Sequence, residues 1–118
     1  MKTLVVGASS NPGRYSFKAT QMLLANGHEV ELLGKEKGQI AGHTIKTDQL
    51  PLEDIDTITM YVAPRNQPNL YDYLLGLKPR RIIFNPGTEN DDFEEMAQKQ
   101  GVIVEEACTL VLLSIKQY

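Results

Sequence analysis

The stretch VVGASSNPGRYS, Val5 to Ser16, decides how the chain is read. Its apolar start ends in Gly7, and Phe17, Thr20, Met22, Leu23 and Leu24 then recur at roughly helical spacing between Ser16 and Asn26. This is strand, tight turn, helix. Asn26-Gly27 stops the helix in the usual C-terminal manner, and EVELLG, Glu29 to Gly34, alternates as a second strand. The three elements make a βαβ unit, whose crossover is almost always right-handed with parallel strands.

Working outward, Lys35 to Ile55 is irregular and rich in Gly, Lys and Thr, with room for one short edge strand near His43 to Lys46. TITMYV, Thr57 to Val62, reads as a third strand, followed by Pro64, Pro68 and a helix over about Asn69 to Leu77. RRIIFN is a fourth. NPGTENDDFEEMAQKQG gives a turn, a helix capped by Thr88 or Asn90, and a stop at Gly101. Asp91, Asp92, Glu94 and Glu95 fall in the first turns of that helix, where its dipole favours negative charge. VIVEE is the last strand and Thr109 to Lys116 a final short helix. Strands alternating with helices predict an α/β protein, a three-layer α/β/α sandwich with a mainly parallel sheet of five to six strands. With 118 residues, the expectation is a single domain spanning 1–118.

Composition narrows the function classes. The chain is 42% hydrophobic and 23% charged with a net charge of −3, so the broad basic face required by nucleic acid is not expected. No apolar run approaches the roughly 20 residues that span a bilayer, and no signal-peptide pattern precedes LVVG. The expected setting is cytoplasmic, with no membrane partner. Cys108 is the lone cysteine, and with His28 and His43 distant from it no metal site is expected.

The glycine turn departs from two well-known phosphate loops. In G-x-G-x-x-G the three glycines serve a tight turn, approach to pyrophosphate and helix packing, but here Gly7, Ser9 and Pro12 fill those places. The acidic residue that holds an adenine-side ribose is also missing, because the second strand ends Leu33-Gly34-Lys35. A Walker A loop needs a lysine where Gly13-Arg14-Tyr15 has none. What the stretch does offer is a helix N-terminus, the Ser9, Ser10 and Ser16 hydroxyls, and the Arg14 guanidinium. Lys35 and Lys37 can meet a further phosphate on a ribose, and Tyr15 can cover the ligand's edge. A nucleotide with a pyrophosphate and a separate ribose phosphate fits this pattern. Coenzyme A and NADP both have it.

With those residues in view, VVGASSNPGRYS resembles the first turn of the CoA-binding domain family, the small Rossmann-like proteins related to the CoA domain of succinyl-CoA synthetase α subunits. Gly7, Ala8, Ser9, Pro12, Arg14 and Ser16 match the motif G-A-S-x-x-P-x-R-x-S. PGTEN, Pro86 to Asn90, is similar to the family's turn before a helix, and Cys108 resembles its cysteine after the last strand. The resemblance implies a Rossmann-like fold that binds coenzyme A or an acyl-CoA. It implies that Gly7 to Ser9 and Arg14 to Ser16 line the diphosphate, that the end of the second strand meets the adenosine, and that Pro86-Gly87 approach from the neighbouring turn. The chain departs from the family at Gly34-Lys35, where an asparagine-proline pair is common, and at Val62, where an arginine is common and Arg65 lies downstream. It also lacks the usual acidic residue after the cysteine.

No catalytic constellation accompanies these residues. His28 and His43 have no serine, cysteine or carboxylate partner at a suggestive spacing, and Cys108 reads as a packing residue. Arg80-Arg81 read as surface residues between helix and strand, and Tyr61, Tyr71 and Tyr73 as packing aromatics. The reading is therefore a small-molecule-binding protein. Its alternatives are an NADP-binding reductase, a CoA-binding subunit lent to a larger ligase or transferase, and a sensor of CoA. The apolar tail TLVLLSI, Thr109 to Ile115, can pack internally or form a homodimer seam.

Overall fold

The computed structural model describes residues 1–118. In chain order the elements are β1 (Lys2–Val6), α1 (Tyr15–Ala25), β2 (Glu29–Leu33), β3 (Gly38–Ile40), β4 (His43–Lys46), β5 (Thr57–Met60), α2 (Tyr71–Gly76), β6 (Arg81–Phe84), α3 (Asp91–Lys99), β7 (Ile103–Glu106) and α4 (Thr109–Ser114). Two short 3-10 turns, Pro64–Asn66 and Pro68–Leu70, precede α2. Each places proline where the fixed φ suits a helix start.

The strands form one sheet in the order β3-β4-β2-β1-β5-β6-β7. All pairings are parallel except β3 with β4. This is a Rossmann-like α/β fold. The sheet has seven strands, more than the five to six expected. The addition is β3, three residues that return on β4 through the left-handed Ala41 and Gly42. A segment that short carries no alternation to read.

Alternation along the strands divides the core between two faces. Leu4, Val6, Ile58, Met60, Ile82 and Phe84 point to one face, where they meet Leu74 and Leu75 of α2 and Phe93 and Ala97 of α3. Val5, Leu32 and Ile45 point to the other, against Leu23 of α1 and Leu113 of α4. The tail thus sends Thr109 and Leu113 inward while Val111 and Ile115 face solvent. No helix is long and apolar enough to cross a membrane.

The amino end of the sheet is tied by side chains. Arg80 holds Asp56 through two bonds of 2.9 and 3.0 Å, which keeps that carboxyl below its ordinary range. Arg81, expected at the surface, is instead buried at 4% exposure. Its guanidinium lies 4.6 Å from the centroid of the Tyr118 ring and 3.5 Å from Glu105, and the Tyr118 hydroxyl bonds Thr3 at 2.6 Å. The cover comes from the far end of the chain.

Candidate ligand-binding edge

Strand register brings four parallel strands to one level at their carboxyl ends. Val6 lies beside Leu33 and Met60, and Met60 lies beside Phe84. The residues that follow are Gly34, Gly7-Ala8-Ser9, Tyr61-Val62 and Asn85-Pro86-Gly87, so all four turns share one edge. In open α/β sheets that edge is where ligands bind.

The first turn is clamped on both sides. The Gly7 and Ala8 amides donate to the Leu33 carbonyl at 2.8 and 2.9 Å, joining the turn to β2. Gly7 has φ +94°, and a Cβ there would stand 2.9 Å from the Tyr61 carbonyl. Gly34 is as constrained, since a Cβ on it would fall on the Ala8 carbonyl oxygen. Further along, a Cβ on Gly38 would meet the Ser10 side chain at 3.1 Å. The loop carrying Lys35 and Lys37 is therefore seated directly against the glycine turn, with both lysines exposed.

Asn11, which the sequence reading passed over, organises the rest of that turn. Its side-chain oxygen accepts the Gly13 amide at 2.9 Å, its carbonyl accepts the Arg14 amide at 3.0 Å, and its own amide donates to Ser9 Oγ at 3.1 Å. Asparagine followed by proline is a recognised signal for such a turn. The closure delivers Arg14 in extended conformation as the N-cap of α1, without a side-chain cap bond. The Tyr15, Ser16 and Phe17 amides consequently lack intrahelical acceptors, and the positive end of the helix dipole points out beside an exposed guanidinium. The Ser9 and Ser10 amides likewise make no bond within the protein. An anion is the chemical complement of this arrangement.

The three serines differ. Ser16 is buried at 4% exposure, Ser9 is engaged by the Asn11 amide, and Ser10 is exposed. Tyr15 is 67% exposed, with Lys18 Nζ 5.4 Å from its ring centroid. Across the edge, Val62 is half-buried while Pro86 and Gly87 are exposed, and Gly87 takes φ +91°.

Beneath these turns lie polar residues that sequence reasoning missed. Asn85 is buried; its Nδ2 donates to Thr59 Oγ1 at 2.7 Å and to the Met60 carbonyl at 2.8 Å, and its Oδ1 accepts the Thr109 amide at 2.8 Å. Gln67 is fully buried between the loops after β5 and β6. A lone polar residue closing an apolar strand was the available signal for Asn85. Gln67, between two prolines, has no periodicity to betray it.

The remaining polar groups serve the frame. Asn90 caps α3 by accepting the Phe93 amide at 3.1 Å, and Glu94 returns the bond to the Asn90 amide at 3.0 Å. Thr88, the other expected cap, bonds the Asn85 carbonyl instead. Carboxylate oxygens of Asp91, Glu94 and Glu106 lie within 4.8 Å of one another. Burial, and then Glu106, hold the Glu94 carboxyl above its ordinary value. A raised carboxyl stabilises the fold at low pH, and that contribution disappears as pH climbs through the raised value. Glu106→Gln should therefore flatten the fall in stability as pH rises above about 4.5, read from urea midpoints beside the parent protein. An unchanged pH slope would remove Glu106 as a cause. Cys108 is half-buried at the N-cap of α4, and the nearby Tyr61 hydroxyl is buried without a partner, its phenol pushed well up by burial.

Residues 1–114 match the family described as CoA binding domain. The chain belongs to that family. This CoA-binding domain is also similar to a crystal structure of an uncharacterized protein, at 43% identity over 99% of this chain and 97% of the other, with a TM-score of 0.97. A conserved hypothetical protein from Pyrococcus furiosus is 26% identical over 88% of this chain and 90% of its own, with a TM-score of 0.76. A Thermus thermophilus structure, 18% identical over 99% of this chain and 90% of its own at a TM-score of 0.86, shares the fold. A search of curated protein sequences finds no significant match.

Proposed function

We propose that the chain binds coenzyme A or an acyl-CoA, without covalent attachment, along the carboxyl edge of its sheet. The observation that carries this reading is the uncapped start of α1 beside Arg14, in a chain of the CoA-binding domain family. The Ser9 and Ser10 amides, the amides opening α1 and the Arg14 fork take the diphosphate, with Gly7, Ala8, Pro12 and Ser16 shaping the turn. Lys35 and Lys37, seated against that turn by Gly34 and Gly38, take the ribose phosphate. The adenosine rests at Gly34-Lys35, with Tyr15 at its edge and Val62, Pro86 and Gly87 approaching from the other side. The pantetheine arm leaves toward solvent or a partner, and the setting is the cytoplasm.

Titration calorimetry with CoA, acetyl-CoA, NADP and NAD in parallel tests the ligand class. Preference for CoA or acetyl-CoA is the expected result, and preference for NADP would overturn the reading in favour of a reductase. Arg14→Ala removes one charge-assisted phosphate contact and should weaken CoA binding by about 1.5–3 kcal/mol, roughly tenfold to a hundredfold. Equal affinity for the variant and its parent would take Arg14 out of the site.

A further inference from the structure

Beyond Met60 and Phe84, the last paired residues of β5 and β6, the backbones of the two following loops make no hydrogen bond to each other. One side chain joins them. Gln67 Nε2 donates to the Val62 carbonyl at 2.9 Å and to the Thr88 carbonyl at 2.8 Å, while its Oε1 accepts from Asn90 Nδ2 at 2.9 Å. Asn90 Nδ2 also donates to the Tyr71 hydroxyl at 2.8 Å, which ties the same junction to α2. Gln67 is fully buried although Asn66 and Pro68 on either side of it are exposed. Burying a carboxamide is costly unless its groups are paired, and here both donors and the acceptor are used. A carboxamide meets this set of partners where an ammonium or guanidinium does not, because two carbonyl oxygens take N–H donors while Asn90 Nδ2 needs an acceptor on the same side chain.

We infer that Gln67 is a positioning residue of the ligand site, a clasp that sets the spacing between the Val62 loop and the Pro86-Gly87 turn. This rests on the CoA reading above. Val62 is one of the residues that flank the ligand on that side and Thr88 follows Gly87, another of them, so the clasp acts through them and touches no ligand atom itself. Its loss leaves the glycine turn intact, since the Gly7 and Ala8 amides bond Leu33 of β2 and the Gly34 amide bonds Lys46 of β4.

Gln67→Glu keeps the shape and removes the donors. As a carboxylate it faces two carbonyl oxygens. Protonated, it donates to one of them, and burial among acceptors raises the pH at which that happens. The ratio of variant to parent Kd for CoA should be about tenfold at pH 8 and shrink toward unity at about pH 5.5. The ionisable groups around this junction are Glu89, which accepts the Gly87 amide, Glu94, which accepts the Asn90 amide, Asp91 and Glu106 beside Glu94, and Arg65 two residues before Gln67. They are common to both proteins, so their titration cancels in the ratio. A flat ratio while the parent binds CoA overturns the role of Gln67 alone. Failure of the parent to bind CoA overturns the functional reading, and this inference with it.

Should Gln67→Glu not fold at pH 8 by far-UV circular dichroism, Gln67→Met decides. It should weaken CoA at every pH yet bind inorganic pyrophosphate, which reaches only the glycine turn, as the parent does. Equal losses for both ligands, or a CoA affinity within about twofold of the parent, would overturn the clasp.

Discussion

Replacing Gly34 by alanine is expected to lower stability by about 3 kcal/mol and to remove CoA binding altogether. The new methyl would fall on the Ala8 carbonyl oxygen and stand 2.9 Å from Ile45 Cγ2. Neither neighbour can yield cheaply. Ala8 is backbone in a turn whose amide already bonds the Leu33 carbonyl, and Ile45 is fully buried in β4. The strain is therefore relieved by pushing the glycine turn away from β2, which tilts the opening of α1 and carries Arg14 with it. Gly76→Ala is the matched control, because a Cβ there meets nothing within 4 Å. Urea unfolding of both variants and calorimetry with CoA check the pair. A Gly34→Ala protein as stable as the Gly76→Ala protein would show that the turn does not need the close approach.

Phe93→Ala should cost about 3–5 kcal/mol, the usual range for removing a buried aromatic. Phe93 is fully buried on α3, stacked on Tyr71 with centroids 4.5 Å apart and set edge-on to Phe84 at 5.7 Å. The cavity would open under three elements at once. Tyr71 would lose the face that orients its hydroxyl toward Asn90, so the Gln67 junction loosens and CoA affinity falls with stability. Phe93→Leu retains most of the volume and should recover much of the loss. Chemical denaturation measures it, and a cost below about 1 kcal/mol for Phe93→Ala would mean that α3 collapses onto the sheet without strain.

Much of the architecture was legible because it rests on local signals. Gly7, Asn26-Gly27, Gly34 and Gly101 punctuate strands and helices within a few residues of their observed ends. The α3 cap could be narrowed to two residues from the acidic first turn alone. What escaped reading depends on contacts distant in sequence. Arg81 looks like a surface residue until Tyr118 closes over it, and Gln67 looks like a loop residue until the turn after β6 supplies a carbonyl. Arg80 and Asp56, 24 residues apart, belong to the same class. Within the candidate site, the glycine turn leading into an open helix start beside Arg14 followed from spacing and residue type. The seating of Gly34 against Ala8 required the register of β1 with β2, which no local pattern encodes.

The two ends of the sheet hold different kinds of residue. At the amino end, Asp56 with Arg80 and Arg81 beneath Tyr118 bind strand to strand and to the last residue of the chain. At the carboxyl end, Ser10, Arg14, Lys35, Pro86 and Gly87 stand in solvent above a frame of glycine contacts and buried amides. On the proposed reading, exchanges among these exposed turn residues change recognition at little cost in stability, whereas the glycines and buried amides beneath them answer to both demands at once.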